Sequence, residues 1–195
     1  MNSTSPFSPR MQQAMAASAS GDQQAAISLF RAAVQEEPTS PLPSFLLGAE
    51  LAQAGRFDEA IQAYAAATLI APEFHMARYQ LGLLQFTSGQ AALALVTWEP
   101  LLALPAKDPI PAFVKGFAEM ANDRFVEAVA HFRSGQALNT QNAPLNADIQ
   151  MVIDRIEALP HRQGAAQSPT VDPQSEPSSD ASHVLLSNYR GGSVH

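Results

Sequence analysis

Cysteine is absent from this 195-residue sequence. Its absence excludes a disulfide framework, a thiolate metal site and a thiol nucleophile, and it removes redox chemistry as a guide to the compartment. Basic residues are also few, because 11 Lys and Arg stand against 18 Asp and Glu for a formal net charge of −7. Such a chain has no overall positive field to attract phosphate backbones, so nucleic acid is not an expected partner.

Long apolar runs and signal-like segments are missing as well. Gln, Ser, Glu or Pro interrupts the apolar stretches every few residues, so neither a membrane span nor a membrane partner is expected. Residues 1–21 contain no apolar core behind a basic start, so a secretory signal is not expected either. These two absences together predict a cytoplasmic protein.

Catalytic motifs are a further absence. The sequence contains no G-x-G-x-x-G, G-x-S-x-G, P-loop or H-E-x-x-H pattern. The five histidines, His75, His131, His161, His183 and His195, are scattered and have no partner at metal-ligand spacing. We therefore expect no catalytic residues, no metal site and no cofactor, and an enzyme is the least favoured class of function.

The sequence does contain a period of 34 residues. Gly48, Gly82 and Gly116 are spaced by this interval, with Ala14 one step earlier. Three further columns share the spacing: small residues Ala26, Ala60, Ala94 and Ala128; aromatic residues Phe30, Tyr64, Trp98 and Phe132; and turn residues Gly21, Gly55, Gly89 and Asp123. Each unit holds two apolar-periodic segments around a turn, which predicts four helical hairpins.

Small residues and prolines refine this prediction. A glycine inside a helix costs about 1 kcal/mol relative to alanine. The glycine column is therefore expected to permit a close approach between helices, with the alanine column facing it. Prolines near residues 9, 41, 109 and 144 are typical of helix starts, and Pro100 predicts an early end or kink in the sixth helix.

The pattern resembles the tetratricopeptide repeat (TPR) family. Residues 41–74 fit it best, through Leu47, Gly48, Leu51, Gly55, Ala60, Tyr64, Ala67 and Pro72. The resemblance implies an all-α fold: a right-handed solenoid of four hairpins at residues 7–40, 41–74, 75–108 and 109–142, after a flexible N-terminus at 1–6. The usual first-helix Trp is replaced by Arg10, Ser44, Arg78 and Ala112.

Two segments follow the repeats. Residues 143–160 show apolar positions with charges between them, which predicts a capping helix over the open end of the array. Residues 161–195 are rich in Ser, Pro and Gln, which predicts a disordered tail with an apolar island at 183–190.

In the TPR family, the second, fifth, ninth and twelfth residues of each unit line a concave groove. The resemblance therefore implies a groove of apolar side chains: Met11, Met15, Phe45, Met76, Tyr79, Leu83, Phe86, Phe113, Phe117 and Met120. The Lys, Arg and Asn that clamp a terminal carboxylate in the best-known grooves are absent. The expected ligand is an apolar or amphipathic segment of a partner protein. The groove character is similar to that of the TPR chaperones of type III secretion.

Several alternatives remain open at this point. Aromatic residues at helical spacing are often core, and for Phe86 and Phe117 the pattern does not distinguish core from groove. The tail residues Val184, Leu185, Leu186 and Tyr189 could dock in the groove of the same or a neighbouring copy. The apolar face could instead form a homodimer, which would make the protein a structural subunit.

The favoured interpretation is a non-catalytic adaptor or chaperone-like module for protein–protein interaction. It predicts that glutamate at Phe45, Tyr79 and Phe113 abolishes partner capture and leaves helicity intact.

Overall fold

The structure, a computed structural model, describes residues 7–159. Residues 1–6 and 160–195, and with them the expected tail and its apolar island, lie outside the described residues. Within residues 7–159 the regular elements are nine α-helices and one 3₁₀-helix, without a strand. They belong to two compact units, Met1–Leu101 and Leu102–His195, and each unit is treated separately below.

Unit 1 consists of three helical hairpins. Its helices are α1 (Pro9–Ala19), α2 (Gln23–Glu36), α3 (Pro41–Gln53), α4 (Phe57–Ile70), α5 (His75–Thr87) and α6 (Ala91–Trp98). Consecutive helices pair within each hairpin, and the hairpins pack on one another through α2 with α3 and α4 with α5. Unit 2 contains a fourth hairpin, α7 (Ile110–Met120) and α8 (Phe125–Leu138), followed by α9 (Ala143–Glu157). The prediction of an all-α fold of TPR-like hairpins is confirmed.

Local sequence explains where the helices begin and turn. The Ser8 hydroxyl accepts a hydrogen bond from the Met11 backbone N–H, and prolines occupy the first turn of α1, α3, α7 and α9. The turn column has the left-handed backbone that favours glycine, with φ of 78° at Gly21, 71° at Gly55 and 82° at Gly89. Asp123 takes the same conformation in the fourth hairpin, with φ of 57°.

In the second, third and fourth hairpins, the glycine of the first helix packs against the aromatic ring of the second helix. A Cβ built on Gly82 would lie 2.2 Å from Trp98 Nε1, and one on Gly116 would lie 2.4 Å from Phe132 Cε1. The predicted close approach is therefore present, but the expected partner was wrong. The nearest atoms belong to aromatic rings, because only the missing side chain leaves room for a flat ring against the first helix.

The third hairpin ends early, as Pro100 predicted. Helix α6 stops at Trp98 after eight residues, and a 3₁₀-helix, Glu99–Ala103, follows it. Proline has no backbone N–H and its ring clashes with the preceding turn, so the α-helical ladder cannot continue through residue 100.

Helix α9 is fastened to α8 by apolar packing and side-chain amides. Its buried stripe consists of Leu145, Ile149, Ile153 and Ile156. Asn139, which is buried, donates to the Asn142 carbonyl at 2.8 Å and to Asn146 Oδ1 at 2.9 Å, and Asn146 donates back to the Asn139 carbonyl at 2.9 Å. Gln136 on α8 adds a bond to the Asn146 carbonyl at 3.0 Å. These bonds satisfy the backbone groups that the α8–α9 turn would otherwise leave open.

Candidate functional site

The structure divides the ten predicted groove residues into three groups. Six are buried: Met11, Tyr79, Phe86, Phe113, Phe117 and Met120. Three are half-buried: Phe45, Met76 and Leu83. One, Met15, is exposed, with 39 % of its surface accessible. The prediction that all ten line a groove is therefore wrong for the six buried side chains, which lie in the packing of the helices.

Phe113 and Phe117 are buried against the second helix of their own hairpin. A Cβ built on Gly135 would lie 2.4 Å from Phe113 Cε1, so the ring rests directly on the α8 backbone. The Phe117 ring lies edge-on to Phe132, with centroids 4.9 Å apart. Sequence reasoning missed Gly135, because its column of small residues, Ala33 and Ala67, is interrupted by Leu101 in the third hairpin.

Tyr79 and Phe86 are buried against the tryptophan of the third hairpin. Their ring centroids lie 6.0 Å and 5.9 Å from that of Trp98. The Trp98 indole Nε1 donates to the Tyr79 backbone carbonyl at 2.9 Å, which fixes the ring in place. Tyr79 and Phe86 are therefore core residues of the third hairpin, because both pack on the Trp98 indole.

Phe45 remains at the surface of the first helices. Its ring centroid lies 4.8 Å from that of Phe74 and 5.6 Å from that of Tyr64, both at tilted angles. Such arrangements are typical of favourable aromatic contacts. Burial raises the pKa of the Tyr64 hydroxyl, so this side chain stays neutral beside Phe45. Phe74, at the start of α5, was not predicted, because Ser40 and Asp108 occupy the equivalent positions and no aromatic column marks it.

Two contacts connect the first helices of unit 1. The Ser18 hydroxyl on α1 donates to the buried Glu50 carboxylate on α3. The Phe45–Phe74 pair then joins α3 to the start of α5. We give the name first-helix face to the five exposed or half-buried apolar residues Met15, Phe45, Phe74, Met76 and Leu83, which lie on α1, α3 and α5 or directly before α5.

The described residues contain no obvious site for a metal ion. Within residues 7–159 there is no group of three or more His, Asp or Glu side chains arranged to hold one. None of the helices in that range is both long and apolar enough to cross a bilayer.

Comparison with known proteins supports the repeat assignment. Residues 17–85 match the tetratricopeptide repeat model. That stretch holds the second hairpin, most of the first, and the start of the third, and it includes four of the five residues of the first-helix face, all but Met15. A search of curated proteins gives no match.

Solved structures show the same fold. MamA (residues 41 to the end) from Desulfovibrio magneticus RS-1 is 16 % identical, with a TM-score of 0.57 over 76 % of this chain and 93 % of that one. A second MamA structure is 20 % identical, with a TM-score of 0.57 over 66 % of this chain and 75 % of that one. YrrB, described as a TPR protein with an unusual peptide-binding site, is 19 % identical, with a TM-score of 0.56 over 77 % of this chain and 75 % of that one.

Proposed function

We propose that this protein is a non-catalytic interaction module that binds an apolar or amphipathic segment of a partner protein on the first-helix face. The observation that carries the proposal is the Phe45–Phe74 pair, two half-buried rings 4.8 Å apart, one on α3 and the other at the residue before α5. Arrays of this kind present extended binding surfaces along their first helices. YrrB, which shares the fold, is described as having a peptide-binding site.

The chemistry of the face favours apolar contact. The apolar Met15, Met76 and Leu83 accompany the aromatic pair, while the Glu50 carboxylate is buried and already accepts the Ser18 hydroxyl. A partner segment would therefore bind by burying apolar side chains, at about 25 cal/mol per Å² of area removed from water. Methionine side chains adapt to differently shaped partners. After the ordering costs of binding, a dissociation constant on the order of micromolar is expected.

The face is smaller than the sequence predicted, and this changes two earlier expectations. The similarity to type III secretion chaperones depended on the full apolar groove, so the proposal contains no chaperone role. Glutamate at Tyr79 or Phe113 would place a charge in the core and unfold the hairpin, so these variants cannot test binding. Phe45 is the appropriate position, because its ring is only half-buried.

The methionines supply a direct test. The six Met residues can be labelled with ¹³C at the ε-methyl group, and two of them, Met15 and Met76, lie on the first-helix face. The probe is an amphipathic helical peptide with Leu and Phe on one side, compared with a scrambled peptide of identical composition. We expect the amphipathic peptide to shift the Met15 and Met76 signals and to leave those of Met120 and Met151 unchanged. Shifts confined to Met151 would refute the assignment.

A matched pair of variants then isolates the aromatic anchor. Phe45→Glu should weaken peptide binding at least tenfold in fluorescence anisotropy, because a carboxylate replaces the ring beside Phe74. Leu69→Glu introduces the same charge at a side chain that is 83 % exposed at the end of α4, and should leave binding unchanged. Met15→Glu repeats the test at an exposed position of the face. Equal affinities for all three variants and the unmodified protein would contradict the proposal.

The homodimer interpretation uses the same face and needs a separate measurement. Light scattering on the peptide-free protein distinguishes the two. A monomer supports partner binding, whereas a dimer that Met15→Glu converts to a monomer supports self-assembly.

A further inference from the structure

The outward side of the second helices changes character along unit 1. Ser28 on α2, Gln62 on α4 and Val96 on α6 occupy equivalent positions, and all three are exposed. One turn earlier, Glu59 on α4 is replaced by Leu93 on α6. The second hairpin therefore presents polar groups at both positions where the third presents branched apolar side chains, and the first hairpin presents Ser28 and the small Ala25 there.

Ion pairs mark the polar part of this surface. Glu59 accepts from Arg31 on α2 at 2.5 Å and from Arg56 at 2.6 Å, so the outward sides of α2 and α4 are joined by charge. In the third hairpin, Leu93 occupies the position of Glu59, the carboxylate that accepts both arginines. Helix α6 contains no Asp, Glu, Lys or Arg. The network consequently has no continuation on α6.

The apolar part of this surface is open. Val96 is 71 % exposed and Leu93 is 48 % exposed, and Ala92 beside them is also exposed. We call these three residues the α6 patch. Glu99, which is exposed one turn after Val96, places a negative charge at the end of the patch. A suitable occupant would combine a few apolar side chains with a positive charge close behind them.

The chain itself contains such a segment. Residues 184–190, V-L-L-S-N-Y-R, join three aliphatic side chains and Tyr189 to the positive charge of Arg190. Residues 160–183 separate this segment from the last described part of the chain, and a linker of that length can extend to about 80 Å. A 14-residue helix such as α4 is about 21 Å long, so the linker is long enough to pass several helices of the same molecule.

We infer that residues 184–190 dock on the α6 patch of the same chain, with Leu185 and Leu186 against Leu93 and Val96 and Arg190 beside Glu99. The patch is small, but the tether raises the effective concentration of the segment to about the millimolar range, so a weak contact is populated. This inference is independent of the first-helix face.

Cysteine cross-linking in the full-length protein tests it, because the native chain has no cysteine. Leu186→Cys is combined with Val96→Cys or with one of two control positions in the same column, Gln62→Cys and Ala130→Cys, which are both exposed and lie one hairpin before and one after. We expect the Val96 pair to form an intramolecular disulfide at least fivefold faster than either control pair.

Equal rates at the three positions, or rates that only follow distance along the chain from the tail, would overturn the inference. Disulfides that link two copies would also overturn it, because the occupant would then belong to a second molecule.

Thiol labelling provides the second measurement. The full-length Val96→Cys protein is compared with the same protein carrying Leu185→Ser and Leu186→Ser. Docking predicts that the serine substitutions accelerate labelling of Cys at position 96 at least threefold, with no change at a control cysteine placed at Gln62. An unchanged rate at position 96 would refute the docking.

Discussion

Phe45 in the second hairpin and Phe113 in the fourth occupy equivalent positions in their repeats, but only Phe45 remains at the surface. Phe113 is fully buried because its ring lies on Gly135, where a Cβ would come within 2.4 Å of it. The position equivalent to Gly135 in the second hairpin is Ala67, and Phe45 there is half-buried against Phe74. The missing methyl group at Gly135 therefore makes room for Phe113 in the core of the fourth hairpin. In the third hairpin the equivalent Tyr79 is buried against Trp98, although Leu101 occupies the position of Gly135.

The largest effect of an added methyl group is expected in the third hairpin, where a glycine of the first helix makes room for the Trp98 ring. Gly82→Ala would place a Cβ 2.2 Å from the buried Trp98 ring and disturb its hydrogen bond to Tyr79. We expect a loss of about 3 kcal/mol in the free energy of unfolding, at the upper end for overpacked cores. Gly48→Ala is the graded control, because the nearest Tyr64 atom is 2.8 Å away and the loss should be smaller. Urea titration measures both, with Trp98 as the single tryptophan reporting directly on the third hairpin.

A reciprocal pair of substitutions tests the comparison itself. Gly135→Ala should force the Phe113 ring outward and lower the stability of unit 2 by about 2 kcal/mol. Ala67→Gly, at the equivalent position, creates no clash and should cost about 1 kcal/mol or less through helix propensity. Hydrogen exchange of α7 and α8 reports the first effect, and that of α3 and α4 the second. Equal losses for the two substitutions would contradict the role assigned to the methyl group.

The smallest change in the free energy of unfolding is expected for a substitution that removes a charge and leaves the packing unchanged. Desolvation raises the pKa of the Asp148 carboxyl on α9 above its usual value, so the folded state favours the protonated form. The carboxylate therefore opposes folding as the pH rises through this raised pKa, and the penalty is absent at acid pH. Asp148→Asn should increase stability by less than about 0.5 kcal/mol near pH 7, because Asp148 is largely exposed. Thermal melts should show no gain below pH 3.

Much of the fold was predictable from the sequence. The 34-residue period, the turn column and the prolines at helix starts each reflect a local backbone conformation. The turn column predicted turns correctly, since Gly21, Gly55 and Gly89 all have positive φ. Pro100 correctly marked the end of α6, because proline acts through its own ring and its missing N–H. Such signals belong to single positions and need no knowledge of neighbouring helices.

The candidate site was less predictable, because burial depends on the residue facing each side chain. Tyr79 and Phe86 share the spacing of the surface residues, and only the position of Trp98 places them in the core. Phe74 has no aromatic equivalents and therefore had no sequence signal, whereas Gly135 shares its spacing with Ala33 and Ala67 and could have been found as a small-residue position. The α6 patch did have one, since Ser28, Gln62 and Val96 form a column whose polarity changes at the third hairpin.

The amide bonds between α8 and α9 have a consequence for the behaviour of unit 2 in solution. Asn139, Asn142 and Asn146 carry no ionisable group, so neither added salt nor a change in pH alters the charge of these amide bonds. The same two helices are also joined by the exposed Arg133–Glu157 ion pair, which salt does screen. The Arg31–Glu59 pair between α2 and α4 is exposed and does respond to ionic strength. Concentrated salt should consequently weaken both exposed ion pairs, while the amide bonds and the buried apolar stripe keep α9 on the end of the fourth hairpin.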